Sequence, residues 1–212
     1  MSRSLVIFLH GVGSRGADLA PLGAAWSESL TDTIFAAPDA PYPFDQGGSG
    51  RQWFSVRGVT ELNRPERVLA ARAAFDRLIG DVIASHGFDG QLDRVALVGF
   101  SQGSIMALDA VASGRCPVVA VVAFAGRLAS PEPLDPATGT KLLIVHGDAD
   151  PVMPVRESEI AEVLLSEAGV DVRRLVLHGV GHWIPTQGAA SAADFLADVF
   201  SLESMTKAGA IE

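Results

Sequence analysis

Residues 94–103 read RVALVGFSQG. RVALV is an apolar run of strand length, and residues 102–113 carry the pattern of a helix. Gly99-Phe100-Ser101-Gln102-Gly103 joins them and fits G-x-S-x-G. Nucleophile chemistry on such a segment requires a sharp, strained turn that lifts Ser101 above the edge of a sheet. Glycines flank the serine because side chains there would strike the neighbouring strand and helix. Alone, the pattern arises by chance, and a serine at this point would do no more than cap a helix. Placed between a buried strand and a helix, it marks a nucleophile. Ser104 falls inside the helix and reads as an ordinary residue.

The segments on either side repeat the alternation. Residues 5–9 (LVIFL) form a continuous apolar run ending at His10-Gly11, as in a strand buried on both faces. Residues 18–30 look helical, and residues 33–36 form a short strand. Residues 38–54 (PDAPYPFDQGGSGRQWF) make a Pro/Gly-rich loop long enough to be a binding element or lid. From 65 to 86 apolar residues recur at Val68, Leu69, Ala71, Phe75, Leu78, Ile79, Val82 and Ile83. That is a helical stripe, opened by Pro65 and stopped by Gly87. Strands follow at 118–123 (VVAVVA), 141–145 (KLLIV) and 172–177, with helices at 155–168 and 189–200. The tail over 202–212 lacks an apolar face and is expected to fray. The whole reads as one α/β domain over residues 1–212, a mainly parallel sheet with helices on both faces.

Parallel sheets of this kind take their ligands at the carboxyl ends of the strands. The polar residues found there complete a catalytic set. A serine hydroxyl needs a base to take its proton, and the base needs a carboxylate to orient it. Asp150 follows KLLIV in HGDADPVMP, and His182 follows the last strand in GVGHW. The rivals are Asp148, whose place after Gly147 suits a turn-forming carboxylate, and His178 at the same strand end as His182. His10 and His146, each before a glycine at a strand end, read as supports for loop backbone. His86 closes the long helix, where an imidazole suits the dipole. The oxyanion of an acyl transfer needs two donors. The backbone N–H of Gln102 and that of Val12, in the His10-Gly11-Val12-Gly13-Ser14 loop, occupy the right places. That glycine-rich loop lacks both G-x-G-x-x-G and the phosphate-loop lysine, so it does not read as a nucleotide site.

FLHGVGS, RQWFSV, GFSQGS, HGDADPVMPV and GHWIP together resemble the phospholipase/carboxylesterase family of α/β hydrolases, a group that includes small bacterial carboxylesterases and acyl-protein thioesterases. The resemblance spans residues 5 to about 200. It implies an α/β-hydrolase fold with no large cap domain. It also implies a Ser101–Asp150–His182 triad and an oxyanion hole at Val12 and Gln102. Two departures stand out: Ser104, where the family often has Gly, and Ser55, where it often has Asp after the Trp-Phe pair. Trp53, Phe54, Met153 and Trp183 are candidate substrate contacts, although Trp53 and Phe54 would equally well anchor their loop on the core.

The 212 residues are 48% hydrophobic and 19% charged, enough to build a single core and too apolar for disorder. The net charge of −9 and the absence of any basic run argue against nucleic-acid and anionic-membrane partners. Cys116 is the only cysteine, so neither an internal disulfide nor a zinc site of two thiolates can form, and a small buried residue is expected there. The apolar run near the N-terminus is five residues long, too short for a signal peptide or a membrane helix, and a cytoplasmic protein is expected.

The expected function is hydrolysis of short- to medium-chain carboxylic esters, a small-molecule substrate class, with no metal or organic cofactor. An acyl-protein thioesterase or lysophospholipase is the alternative. A non-catalytic ligand-binding protein on the same fold is a remote third reading, and a homodimer remains open. A histidine base loses activity below its pKa, about 6.5 for an ordinary imidazole.

Overall fold

The computed structural model describes residues 3–209, with side chains through Glu203. In chain order the elements are β1 (Ser4–Leu9), α1 (Ala20–Trp26), β2 (Thr33–Ala36), β3 (Tyr42–Pro43), β4 (Arg51–Gln52), α2 (Arg64–Ser85) and β5 (Val95–Phe100). They continue with α3 (Gln102–Ala112), β6 (Ala120–Phe124), β7 (Lys141–Gly147), α4 (Arg156–Glu167), β8 (Asp171–Leu177) and α5 (Thr186–Gly209). Six strands form one sheet in the order β2-β1-β5-β6-β7-β8, and every neighbouring pair is parallel.

The continuous apolar strands follow from burial on both faces. In β1, Leu5, Ile7 and Leu9 face a layer built by α2, α3 and α4, whereas Val6 and Phe8 face α1 and α5. Of the stripe read from α2, Val68, Ala71, Phe75, Ile79 and Ile83 are buried and Leu78 and Val82 half-buried, whereas Leu69 is exposed. Each large side chain so buried stabilises by about 1.5–3 kcal/mol. Cys116 is buried, and burial pushes its thiol up to about 11, so it stays protonated. No helix of the described residues is long and apolar enough to cross a membrane.

Three segments differ from expectation. The helix over 18–30 is a short 3-10 turn (Gly16–Asp18) followed by the seven-residue α1, because Pro21 fits only in the first turn of a helix. The loop at 38–54 is ordered: β3 and β4 pair antiparallel inside it. Arg51 pins it, donating from Nε to Ala40 O (2.8 Å) and from Nη2 to Pro41 O (2.7 Å). The last helix begins at Thr186 and passes Phe200 to reach Gly209. Ala192, Ala193, Phe195, Leu196, Val199 and Phe200 are buried along it, and Leu202 is exposed. Of the tail expected to fray, residues 210–212 lie outside the described residues.

The chain reverses its direction of build-out between β1 and β5: β2 adds on one side of β1, and β5 to β8 extend on the other. The carboxyl ends of two strands diverging from such a point leave a crevice, where open α/β sheets bind ligands. His10-Gly11-Val12 follows β1 there, and Ser101 follows β5.

Candidate active site

Ser101 sits at φ 52°, ψ −114°, a left-handed conformation in a non-glycine residue. Such strain persists only when the surroundings enforce it. A Cβ on Gly99 would lie 2.5 Å from Ser104 N in α3, and one on Gly103 would lie 2.0 Å from Leu9 O in β1. Each flanking glycine therefore allows one close approach, to helix and strand respectively. The elbow is tied to the end of β6, where Phe124 O accepts from Ser101 N (3.0 Å) and from Ser104 Oγ (2.7 Å). Ser104 is therefore more than an ordinary helix residue: its fully buried hydroxyl fastens the turn.

The raised hydroxyl meets an unbroken hydrogen-bond chain. Ser101 Oγ donates to His182 Nε2 at 2.9 Å, and His182 Nδ1 donates to Asp150 Oδ2 at 2.7 Å. The second oxygen, Asp150 Oδ1, accepts from the amides of Val152 and Met153, both at 2.8 Å. Burial pushes the Asp150 carboxyl up, but these amides and His182 outweigh it, and its pKa lies below the ordinary 3.8. The carboxylate stays ionised although, among the described residues, no arginine or lysine bonds it. Phe100 flanks the imidazole of His182, with ring centroids 5.0 Å apart.

The rivals pair with each other instead. His178 Nδ1 bonds Asp148 Oδ2 at 2.8 Å, and the His178 side chain is 98% exposed, away from Ser101. The remaining histidines hold backbone, as the sequence suggested for His10 and His146. His10 Nδ1 donates to Gly11 O (2.7 Å), and His10 Nε2 accepts from Ala40 N (2.9 Å). His146 Nε2 donates to Met153 O at 2.8 Å, bracing the loop that carries Asp150. His86 Nδ1 donates to Val82 O at the end of α2.

The two expected oxyanion donors lie just past the ends of β1 and β5. A Cβ on Gly11 would lie 3.4 Å from Ser101 Cβ, so the loop after β1 passes directly beside the nucleophile. That loop is fixed by Gly13 N to Arg51 O and Arg51 N to Ser14 O, both 2.8 Å. Among the described residues, neither Val12 N nor Gln102 N has a hydrogen-bond acceptor. Gln102 opens α3, where an amide has no partner within its own helix.

The candidate substrate contacts separate. Trp53 is 1% exposed and acts as an anchor: its indole N–H donates to His10 O (2.8 Å), and its ring packs edge-on against Phe75. The Gln102 side chain clasps the same loop, accepting from Trp53 N (2.9 Å) and donating to Phe54 O (2.7 Å). The pattern G-x-S-x-G offers no sign of this second task. Trp53 and Phe54 also back a cavity of about 460 Å³ shared with Tyr42, Pro43 and Arg67. Met153 is buried, with its amide on Asp150 and its sulfur against Arg127 Nε, which leaves it little surface for a ligand. Trp183 is 55% exposed, with its ring folded over Gly181 next to His182. Among the described residues, no group of three or more His, Cys, Asp or Glu side chains is placed to hold a metal.

Comparison with known proteins bears on the family and the fold. The sequence matches the phospholipase/carboxylesterase family over residues 1–200. It is 32% identical over 195 residues to an esterase, YpfH, of Escherichia coli K12, covering 92% of this chain and 82% of that protein. It is 30% identical over 213 residues to acyl-protein thioesterase 1 of Neurospora crassa, covering 91% and 85% respectively. Among solved structures, the esterase PE8 superposes with a TM-score of 0.84 at 36% identity, covering 93% of each chain. A Bacillus cereus carboxylesterase shares the fold with a TM-score of 0.77 at 17% identity, covering 93% of this chain and 89% of that one. The chain therefore belongs to the phospholipase/carboxylesterase family of α/β hydrolases, a family of carboxylic ester hydrolases.

Proposed function

We propose that the chain hydrolyses short- to medium-chain carboxylic esters through an acyl-serine intermediate on Ser101. The observation that carries this reading is the chain Asp150–His182–Ser101 at 2.7 and 2.9 Å, set on a strained elbow. His182 Nε2 takes the Ser101 proton as Oγ attacks the ester carbonyl. The Val12 and Gln102 amides donate to the resulting oxyanion. Collapse of the tetrahedral adduct breaks the bond to the alkoxy oxygen, and His182 returns the proton to the departing alcohol. Water, deprotonated by His182, then attacks the acyl-serine and releases the carboxylic acid. Asp150 keeps the imidazole in the tautomer whose Nε2 can accept, and stabilises the imidazolium.

Exposed Val152 and Trp183 beside the triad supply apolar surface for a modest acyl or alcohol group. Phe54 offers more at the edge of the 460 Å³ cavity. A second reading, a thioesterase or lysophospholipase acting on long acyl chains, is favoured by the similarity to acyl-protein thioesterase 1. The experiment is hydrolysis of p-nitrophenyl esters from acetate to palmitate by the wild type and Ser101→Ala. A short-chain maximum absent from the variant supports the carboxylesterase reading, and a long-chain maximum with the same dependence moves the assignment to the second. Equal inertness of both proteins on every ester overturns the catalytic reading.

A further inference from the structure

Beside Met153, whose amide holds Asp150, a second cavity of about 420 Å³ opens between the N-terminal ends of α2 and α4 and the loop after β6. Arg64, Arg127 and Arg156 line it, together with Glu61, Glu157 and Ser130. Arg127 is only 9% exposed, and its one carboxylate partner is a loose ion pair with Glu157. Its Nε faces Met153 Sδ, and its Nη1 is 3.6 Å from Glu157 Oε1, beyond hydrogen-bond distance. Among the described residues, the Nη groups of Arg127 and the guanidiniums of Arg64 and Arg156 have no hydrogen-bond acceptor. The hydroxyl of Ser130 is already committed to Asp109.

Three guanidiniums thus face one concavity against two carboxylates, in a protein whose net charge is −9. Burial, followed by the nearby charge of Arg127, lowers the Arg64 pKa from its ordinary value, and Glu157 and Glu61 offset this only in part. Planar guanidinium donors match the paired oxygens of a carboxylate or phosphate, and the amides at two helix N-termini add to the same field. We propose that this cavity binds the oxyanion end, carboxylate or phosphate, of a small molecule. Through Arg127 and Met153 the occupied site touches the loop that carries Asp150. A charged end of the substrate or a separate anion would sit there equally well. Only the first case rests on the ester-hydrolase reading.

The test is isothermal titration calorimetry of the full chain with succinate and with inorganic phosphate, which needs no turnover. The expected result is saturable binding of at least one anion in the millimolar range or tighter, weakening with added salt. Arg64→Gln and Arg156→Gln, each first shown to be folded by circular dichroism, should weaken it about tenfold, the order of one lost charge-assisted hydrogen bond. Arg127→Lys keeps the charge but loses the planar fork and should also weaken binding. Arg174→Gln, whose guanidinium bonds Glu162 elsewhere, should bind as the wild type does. Absence of saturable binding of both anions, or equal affinity in the wild type and the three cavity variants, overturns the proposal. Two arms identify the source. Succinate that competes with a p-nitrophenyl ester carrying a terminal carboxylate, and loses that effect in Arg64→Gln, places the substrate's own anion in the cavity. Binding without any effect on that hydrolysis places a separate anion there.

Discussion

Asp109 and Asp150 are both aspartates whose side chains have 0% exposure, yet they are built in opposite ways. Asp109, on α3, is neutralised by cations. Arg72 grips both of its oxygens at 3.0 and 2.8 Å, Arg115 adds a bond at 2.7 Å, and Ser130 completes the shell. The side-chain bond to Asp109 raises the Arg72 pKa, as expected for a committed pair. Asp150 has two backbone amides and the imidazole of His182, with His146 Nε2 3.5 Å from the same carboxylate. Full cationic neutralisation fastens α2 to α3 and leaves no charge for chemistry. Neutral dipoles keep Asp150 ionised while leaving its field directed at His182. Burial alone does not identify a functional carboxylate; the kind of donor around it does.

The largest expected effect is at Asp150. In Asp150→Asn the remaining Oδ1 still accepts from Val152 and Met153, but the new amide N–H₂ faces His182 Nδ1 and forces the wrong tautomer. We expect kcat on p-nitrophenyl butyrate to fall about 10⁴-fold. The unfolding free energy in urea should move by less than about 1 kcal/mol, since the fold keeps its contacts. Asp109→Asn should do the reverse. It takes the paired carboxylate from Arg72 and leaves Arg115 with Asp76 alone, and stability should drop by about 3 kcal/mol in urea unfolding, with kcat of the folded fraction changed little.

Gln102→Ala comes next. It keeps the backbone donor but orphans Trp53 N and Phe54 O, two buried backbone groups, and should cost about 2 kcal/mol in the same assay. A larger loss in kcat/KM than in stability would mean that the clasped loop also sets the crevice. The smallest effect concerns pH. Burial, opposed by backbone acceptors at Gly11 and Met153 respectively, lowers the pKa values of His10 and His146 below 6.5. The unfolded chain therefore binds protons at these groups first. Stability should be full above about pH 6.5, fall as pH drops below it, and level off only beneath the lowered folded values. The low pKa of Asp150 adds a further loss below 3.8. Tm scanned across pH checks both signs, and a Tm that rises on acidification from neutrality would contradict them.

Much of this was legible in the sequence. The Ser101–His182–Asp150 hydrogen-bond chain joins three polar residues that each follow a strand in the sequence, two of those strands apolar, and the elbow follows from glycines whose clash partners are Ser104 and Leu9. What stayed hidden depends on contacts between segments distant in sequence. No local pattern says that the Gln102 side chain reaches Trp53, 49 positions away, or that Ser104 closes on Phe124. The loop over 38–54 looked structureless because β3 and β4 are only two residues each, too short to show alternation, and because the pin is a single arginine. Met153 reads as a substrate contact in the sequence, but its amide bonds Asp150 and its side chain faces Arg127.

Covalent trapping tests the assignment of Ser101 most directly. The wild type, Asp150→Asn and Ser101→Ala would be incubated with a fluorophosphonate, followed by intact-mass and peptide mass spectrometry. The account predicts a single adduct on Ser101 in the wild type, markedly slower labelling in Asp150→Asn, and none in Ser101→Ala. Labelling at another residue, or a wild type that stays unlabelled while hydrolysing esters, would contradict it.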